Sequence, residues 1–280
     1  MDWDAFAQRR KSVIKARGEW VGLLDENGEP VCECPPYELM KDPTTRLNPE
    51  SFEAKFRVDI GGVAHQIVDE LVADGLVRQD ERLRLVPVMG PPRFVMVERE
   101  SWRAVYRVQL TKAECDARLP HSLTVHGTGT DMLSELMLLP GWSAPGQVKG
   151  EFALQDSDLG ARYEKPRMYA PVKMAVVADG FTFDGPADQV IRRMIRESLK
   201  ATYGLFGVED YPIVVADTST GKPSKRLLLR PSDNSLWDEI STPAQMSGCV
   251  VKAHMWLPGD KPVAGLDLAK PSIVVEVLQQ

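Results

Sequence analysis

The sequence contains little cysteine and little histidine, with four residues of each among 280. Cys32 and Cys34 lie too close along an extended strand to bridge each other easily, and Cys115 and Cys249 are isolated. No second pair follows Cys32-x-Cys34 at the spacing of a zinc ribbon or finger. The sequence therefore predicts reduced thiols in a reducing compartment, no disulfide framework and no metal site.

Long apolar runs are also missing. No stretch approaches 18 consecutive apolar residues, and the first residues contain no apolar core of the kind found in signal peptides. The composition is otherwise that of an ordinary globular protein, with 43% hydrophobic and 26% charged residues. We expect a soluble protein without a membrane span or secretion signal, long enough at 280 residues to divide into two lobes.

An excess of positive charge is absent as well. The formal net charge is −6, with 34 lysines and arginines against 40 acidic residues. Affinity for nucleic acid depends on clustered basic side chains that neutralise phosphates and release counterions. The charge balance therefore argues against a surface devoted to nucleic-acid phosphates. It is compatible with a local basic patch.

Motifs that carry chemistry are scarce. Gly127-Thr128-Gly129 lacks the third glycine of a dinucleotide fingerprint, so a tight turn is the simpler interpretation. Gly221-Lys222-Pro223 lacks the upstream glycine and the following hydroxyl of a phosphate loop. The histidines show no H-E-x-x-H spacing, and no G-x-S-x-G elbow is present. We therefore assign no catalytic, cofactor-binding or metal-binding residue and expect the protein not to be an enzyme.

Asp131 and Glu135 come closest to a paired-carboxylate site, because they lie one helical turn apart. No other titratable residue gathers near them in the sequence to raise a pKa. We therefore predict that Asp131, or its neighbour Thr130, caps the first turn of a solvated helix. Leu133 and Leu136 belong to the apolar stripe of that helix.

The best-defined stretch of the chain, residues 123–142, surrounds this pair of carboxylates. Leu123 and Val125 indicate the end of a strand, the glycines after it indicate a turn, and Pro140-Gly141 ends the helix. We interpret the stretch as the corner at which a first β-rich lobe closes and the chain turns toward a second one.

Two strand signals precede that corner. Asn27-Gly28 tolerates the positive φ of a tight reversal and predicts a hairpin between residues 20–24 and 30–32. Residues 52–60 alternate between apolar and charged side chains, and this is the clearest half-buried strand in the chain.

A second antiparallel pair is predicted over residues 94–98 and 104–110. In the later strand, apolar residues alternate with Arg103, Arg107 and Gln109. We expect these arginines to face solvent. The alternative is that they lie along a sheet edge that meets an acidic neighbouring subunit.

Two helices are predicted in the first half. Residues 3–16 form a short basic helix that ends at Gly18, and it either lies on the domain surface or acts as an arm that docks on a neighbouring subunit. Residues 63–72 show helical spacing and stop before Gly75, with His65 on the solvated face.

A long amphipathic helix is predicted after Pro186, which suits the first turn because it lacks an N–H. Arg192 and the other basic residues of this helix are expected to face out. Its inward face contains Val190, Ile191, Met194, Ile195 and Leu199. A second, short helix is predicted over residues 236–240.

The remaining strands of the second half are predicted from short apolar runs. Residues 213–215 and 226–229 flank a hairpin-like loop, and residues 249–255 and 272–278 are closing strands. Proline and glycine between residues 142 and 171 indicate a boundary between lobes. The predicted organisation is an N-terminal helix or arm over 1–19, a first β-rich lobe over 20–145, a linker over 146–171 and a second α+β lobe over 172–280.

Several of these segments, taken in order, resemble the hub-type minor tail proteins of long-tailed phages of actinobacteria, which are related to the tail-associated hub proteins of the tail tip. In the first half the resemblance is carried by residues 20–34, Thr45-Arg46-Leu47-Asn48, Ser51-Phe52-Glu53-Ala54, residues 94–108, residues 123–127, residues 131–136 and Leu139-Pro140. In the second half it is carried by the helix from Val190, residues 230–240 and the strands around Val251 and Val274. The resemblance covers about residues 20–278.

The resemblance implies an α+β, β-dominated fold with two β-barrel-like lobes and flanking short helices. It also implies a ring, usually a homotrimer with pseudo-sixfold symmetry, that joins the tail tube to the tip. The partners would be other copies of the chain, the distal tail protein, the tail tube and the tip or receptor-binding proteins. The location would be the tail tip of a virion assembled in the host cytoplasm.

Many such hubs have a longer C-terminal tip or receptor-binding region, which this sequence does not show after residue 278. The resemblance therefore places receptor binding and peptidoglycan cleavage in a separate protein. The alternative function is a carbohydrate-binding or hydrolase module of the tail tip. It is suggested by tryptophans expected at the surface, namely Trp3, Trp102, Trp142 and Trp256.

Overall fold

The structure is a computed structural model of the whole chain. It describes residues 1–43, 51–72, 77–79, 81–82, 85–87, 91–116, 119–128, 131–148, 153–158, 161–169 and 182–280. The fold is β-rich, with 41% strand and 26% helix, a large antiparallel sheet and short helices. The predicted β-dominated α+β class is confirmed at this level. Two features of the sequence lie outside the described residues, namely the segment Thr45-Arg46-Leu47-Asn48 of the resemblance and Gly75, the predicted stop of the second helix.

Among the described residues, the first half of the chain forms three helices and eleven strands. The helices are α1 (Trp3–Arg17), α2 (Gln66–Val72) and α3 (Leu133–Met137). The strands are β1 (Glu19–Leu24), β2 (Pro30–Glu33), β3 (Tyr37–Lys41), β4 (Ser51–Arg57), β5 (Asp59–Ile60), β6 (Val63–Ala64), β7 (Val77–Gln79), β8 (Leu85–Pro87), β9 (Phe94–Arg99), β10 (Trp102–Cys115) and β11 (Pro120–Thr128).

The second half begins with a 3-10 turn at Pro145–Gln147 and a separate hairpin. Its helices are α4 (Ala187–Leu205) and α5 (Leu236–Ser247). Its strands are β12 (Ala153–Asp158), β13 (Ala161–Tyr169), β14 (Phe183–Pro186), β15 (Ile213–Val215), β16 (Arg226–Leu229), β17 (Cys249–Trp256) and β18 (Ser272–Gln279). The β12–β13 hairpin falls within the predicted linker, and the division into lobes stays a prediction.

The largest element is a seven-stranded antiparallel sheet in the order β2-β1-β9-β10-β11-β4-β3. Its two edge strands, β2 and β3, are joined by only three residues, Cys34-Pro35-Pro36. Tyr37 on β3 bonds to Glu19 on β1, and Arg99 at the end of β9 pairs with Asp42 just after β3 at 2.7 Å. The sheet therefore curls until its edges approach each other. No ladder in the described residues pairs β2 with β3, so the sheet is not a closed barrel.

One face of this sheet packs on α2. Alternate residues along the strands are buried there, as a period of two requires. The face contains Leu23, Phe52, Ala54, Phe56, Val95, Val97, Ala104, Tyr106, Leu123 and Val125. The predicted alternation over residues 52–60 is confirmed as far as Val58, whereas Ile60 is 50% exposed in the small β5–β6 ladder.

The opposite face of the sheet packs against the second half of the chain. Trp20, Met96 and Val105 of the sheet share one core with Ile191 of α4 and Val275 of β18. The core therefore runs across the boundary between the two predicted lobes. Burial of this shared apolar surface, at about 25 cal/mol per Å², holds the two halves together.

The second half is built differently from the first. β15, β18 and β17 form a three-stranded sheet in which β15 runs parallel to β18 and β17 runs antiparallel to it. The two closing strands are confirmed as this antiparallel pair. β16 pairs with β14 in another ladder, so the predicted hairpin-like loop between 213–215 and 226–229 is wrong. The loop instead connects two sheets.

The N-terminal helix α1 packs against the sheet of its own chain. Asp2 caps its first turn by accepting a 2.9 Å hydrogen bond from Ala5 N, and Gly18 ends it at a φ of +89°. Arg10 and Val13 are buried against the sheet. The predicted helix is confirmed and packs on the sheet of its own chain, and an additional contact with a neighbouring subunit stays a prediction.

The predicted helix over 63–72 is shorter than expected. Val63 and Ala64 pair with β5, and α2 begins only at Gln66. His65 precedes the helix and its Nδ1 accepts a 3.2 Å hydrogen bond from Ile67 N, so its assignment to the solvated helix face is wrong. Burial lowers the pKa of His65.

α4 has the predicted inward face, and all five of its predicted apolar residues are buried. Arg192 was expected to face out but is only 9% exposed and pairs with Asp188 one turn earlier. α5 continues past the predicted residue 240 to Ser247, with Pro243 inside it, and ends at Gly248 with a φ of +76°. Within the described residues, none of the helices is long and apolar enough to cross a bilayer.

Candidate functional site

Among the described residues, a set of largely buried charged side chains lies where the seven-stranded sheet meets the second half. We call it the seam cluster. It consists of Arg10, Glu98, Arg103, Asp131 and Asp260, together with the pair Arg107–Glu135. Strand alternation explains its position, because Arg103 and Arg107 point away from the Ala104 and Tyr106 face of β10.

Arg103 is the centre of the seam cluster. Its Nη2 lies 2.7 Å from Glu98 Oε1 on β9 and 3.0 Å from Asp260 Oδ1 in the turn after β17. Arg10 Nε donates to the other oxygen of Glu98 at 2.6 Å. Burial lowers the pKa of the Arg10 guanidinium, which is 5% exposed. The four groups form an alternating chain of charges that joins α1, the sheet and the C-terminal half.

Arg107 and Glu135 form the second ion pair of the seam cluster. Arg107 Nη1 lies 3.0 Å from Glu135 Oε2 and 3.2 Å from Oε1. Glu135 is only 8% exposed, and burial raises its pKa although Arg107 acts to lower it. The predictions of solvent-facing arginines and of a solvated helix at residues 133–137 are therefore wrong. The arginines do meet acidic partners, but these belong to the same chain.

Asp131 is not the cap of α3. The cap position is Met132, which makes no side-chain bond, and Asp131 has a left-handed φ of +53°. Its Oδ1 instead accepts a 2.9 Å hydrogen bond from the backbone N of Val105 in β10. Part of the residue reaches the surface, but the carboxylate is directed inward, and burial raises its pKa to about 7. Thr130, the other predicted cap, lies outside the described residues.

Gly127 belongs to a strand and not to a turn. It lies in β11, opposite Val108 of β10 and Phe52 of β4. A Cβ at this position would approach the carbonyl O of Arg107 to 2.7 Å, closer than any real contact. Glycine is required here by close backbone approach at a bulge in β10. Gly129 lies outside the described residues.

The end of the predicted corner is fastened to the second half. Leu139 O accepts a 2.6 Å bond from Leu236 N, and Gly141 N donates to Asn234 O at 2.8 Å. A Cβ on Gly141 would approach Glu239 Cγ to 2.7 Å, which leaves no space for a side chain between this segment and α5. The described end of the stretch therefore contacts the second half directly, and its role as a corner between two lobes stays a prediction.

The tryptophans do not form a surface platform. Trp142 is 8% exposed and its Nε1 donates to Thr202 Oγ1 at 2.9 Å. Trp256 is equally buried and its Nε1 donates to Lys261 O at 3.0 Å. Trp3 and Trp102 are half-buried, and Trp3 packs against the shared core. The expectation that all four lie at the surface is wrong for Trp142 and Trp256.

Among the described residues, the histidine, cysteine and acidic side chains that could bind a metal ion do not cluster. In the part of the chain that the structure describes, no group of three histidine, cysteine or acidic side chains is arranged to hold a metal ion. Burial raises the pKa of Cys32 to about 11 and raises that of Cys34 well above its ordinary value. These thiols therefore remain protonated near neutral pH and are poor ligands and nucleophiles.

A cleft of about 400 Å³ opens between α1, β1 and the connector that joins the sheet edges. Trp20, Tyr37 and the two connector prolines supply apolar walls, and Arg17 and Glu33 lie at its border. Arg9 holds the pKa of Glu33 below its ordinary value. The cleft marks the place where the two sheet edges approach each other without pairing.

The seam cluster binds parts of the chain to each other. Each of its arginines contacts a carboxylate, and Asp131 accepts a backbone N–H, so these groups stabilise an internal contact. Sequence periodicity identified the two arginines of β10 but gave no signal for Asp260, which lies 157 residues from Arg103.

No protein-family model matches the chain. No curated protein sequence matches it significantly.

Proposed function

We propose that this chain is a structural protein of a phage tail tip, a hub that forms a ring with copies of itself and joins the tail tube to the tip proteins. The role is one of assembly and not of catalysis. The partners are other copies of the chain, most simply in a homotrimer, with the distal tail protein, the tail tube and a tip protein on either side. The location is the virion.

The observation that carries this proposal is the position of the matching segments. Residues 20–34, 51–54, 94–108 and 123–127, which resemble phage hub proteins, fall on β1, β2, β4, β9, β10 and β11. These are six of the seven strands of the large sheet. These first-half segments of the resemblance therefore coincide with strands of one sheet, which supports the proposal.

The curl of the sheet supports the barrel-like lobe of such a hub. A connector of three residues spans at most about 14 Å, so the ends of β2 and β3 that it joins lie close together. One further ladder between these edges would close the sheet. The second half, with its three-stranded mixed sheet, contributes a lobe of a different kind.

Exposed apolar side chains on projecting strands support contacts between chains. Leu110 is 62% exposed on the part of β10 that extends past its pairing with β9, and Leu154 is 71% exposed on the separate β12–β13 hairpin. A two-stranded hairpin is only marginally stable in water when nothing covers it. Permanent rings bury about 2,000 Å² or more at each interface, and these two strands offer surface for it.

The proposal is tested by the mass and shape of the purified full chain. We expect a trimer or larger ring by light scattering and electron microscopy, and co-assembly with tail-tube or tip proteins. Leu110→Glu and Leu154→Glu should shift the ring toward monomer, because a charge would be buried in the interface. Met246→Glu is the matched control, since Met246 is 77% exposed on α5 and not on a projecting strand.

A chain that stays monomeric at high concentration and associates with no tail protein would overturn the proposed role. If all three substitutions dissociate the ring to the same extent, the proposal of a ring stands. The projecting strands are then not its interface. The carbohydrate-binding alternative loses two of its four platform residues, since Trp142 and Trp256 are buried.

A further inference from the structure

The segment between β17 and β18 lies over the outer face of the three-stranded sheet. We call residues 258–270 the flap. The buried cluster beneath it consists of Ala216, Trp256 and Val274. The flap side chains that pack on this cluster are Val263, Leu266 and Leu268. The other face of the same sheet packs in the shared core, so the flap covers a separate and much smaller apolar surface.

The flap is seated by few contacts. All of its residues are described, and they form no helix or strand and include none that is fully buried. Two hydrogen bonds hold its middle on the sheet. Trp256 Nε1 donates to Lys261 O at 3.0 Å, and Asp217 N donates to Ala264 O at 3.2 Å. Segments with few buried apolar contacts open at a lower free-energy cost than the core of a domain.

The base of the flap is held by the first half of the chain. Asp260 Oδ2 accepts a 2.9 Å hydrogen bond from Leu257 N, and Asp260 Oδ1 accepts one of 3.0 Å from Arg103 Nη2. The side chains of Arg103 and Asp260 are mostly buried, with exposures of 19% and 25%. The ion pair at the far end, Lys270–Asp210, has exposures of 53% and 76%. The two ends of the flap are therefore held unequally.

We propose that the flap opens as a unit while the rest of the fold stays intact, and that the Arg103–Asp260 ion pair is the clamp that keeps it closed. The open state exposes the apolar face of Trp256 and Val274, which the closed flap covers. Because the clamp joins β10 to the second half, loosening the contact between the halves raises the population of open flaps, and opening in turn weakens that contact. The inference does not depend on the proposed function.

Two neighbouring amides report separately on the flap and on the sheet. Ala216 N donates to Val275 O inside the sheet at 2.9 Å, whereas the next amide, Asp217 N, donates to the flap. The indole N–H of Trp256 also donates to the flap. Opening of the flap therefore frees the Asp217 and Trp256 donors and leaves the Ala216 amide in its hydrogen bond.

Hydrogen exchange of the full chain, followed by NMR, tests the opening. In the wild type, the protection factors of the Asp217 amide and the Trp256 indole N–H should be lower than that of the Ala216 amide by about tenfold or more. Exchange of these two reporters should not change in low concentrations of urea, because flap opening exposes little surface. Exchange of the Ala216 amide should accelerate with urea, because it requires unfolding of the sheet.

Two variants separate the clamp from the exposed ion pair of the same flap. Asp260→Asn retains an acceptor for Leu257 N but loses the charge-assisted bond to Arg103, so the protection of both reporters should fall by about tenfold. Asp210→Asn is the matched control. It removes an exposed pair, and the protection should change by less than about threefold.

A third variant opens the flap with the clamp in place. Gly265 has a left-handed φ of +76°, and a Cβ there would approach Asp217 Oδ2 to 2.9 Å, so Gly265→Ala should also lower the protection of both reporters. Equal protection and equal urea dependence of the Asp217 and Ala216 amides in the wild type would overturn the flap, and this comparison needs no variant. Reporters that respond no more to Asp260→Asn than to Asp210→Asn would overturn the clamp.

Discussion

Replacement of Arg103 by methionine measures how strongly the seam cluster holds the two halves together. Arg103, Glu98 and Asp260 have side-chain exposures of 19%, 14% and 25%, so removal of the cation leaves two largely buried carboxylates near each other. Removing one partner of a buried ion pair costs about 3–5 kcal/mol. Glu98 keeps its contact with Arg10, and Asp260 still accepts a hydrogen bond from Leu257 N at 2.9 Å, so we expect the lower end, about 3 kcal/mol.

The assay is thermal unfolding of the full chain at pH 7. With an unfolding entropy of about 2 cal/mol/K per residue, a loss of about 3 kcal/mol lowers the Tm by about 5 °C. Arg103→Lys should give a smaller but clear loss, because a single ammonium group cannot form the fork that contacts both carboxylates.

Arg9→Met is the matched control. Arg9 also pairs with a glutamate, Glu33, through its Nε at 2.7 Å, but 61% of its side chain is exposed. Exposed ion pairs contribute little to stability, so the Tm of this variant should stay within error of the wild type. If Arg103→Met lowers the Tm no more than Arg9→Met does, the seam cluster does not stabilise the contact between the halves and the reasoning fails.

Two further substitutions test the interior of the sheet. Tyr106→Phe should leave the free energy of unfolding unchanged or raise it by up to about 1 kcal/mol in urea titrations, because the buried hydroxyl has no hydrogen-bond partner among the described residues; a loss above 1 kcal/mol would reveal a missing partner. Gly127→Ala should lower it by about 1–3 kcal/mol, since the new Cβ would meet a backbone carbonyl of β10 at 2.7 Å. Gly146→Ala, with no atom within 4 Å of its Cβ position, is the control and should change little.

Local patterns in the sequence predicted most of the individual elements. Asn27-Gly28 gave the β1–β2 hairpin, with Gly28 at a φ of +77°, and the alternation after residue 51 gave β4. The apolar stripe after Pro186 gave α4. These signals succeed because turn chemistry and burial on one face are properties of neighbouring residues.

The faces and contacts of the elements were harder to predict. The alternation of β10 showed that Arg103 and Arg107 share a face, but not that a second layer covers that face. The sequence assigns Gly127 to a turn because the carbonyl that excludes a side chain there comes from another strand. The sequence assigns Asp131 to a helix cap because the Val105 amide that it accepts lies 26 residues away in β10. Each of these depends on residues that are distant in the sequence.

The connector Cys34-Pro35-Pro36 has a consequence for synthesis of the chain. Both edges of the large sheet emerge from the ribosome within the first 41 residues, whereas its central strands β9, β10 and β11 end only at Thr128. At 5–20 residues per second, the roughly ninety residues between them take about 4 to 18 s to appear. Until the central strands appear, β1 lacks its partner β9 and β4 lacks its partner β11, and these unpaired edges are open to other nascent chains. The arrangement that lets the finished sheet curl therefore leaves β1 and β4 waiting for the central strands that join them.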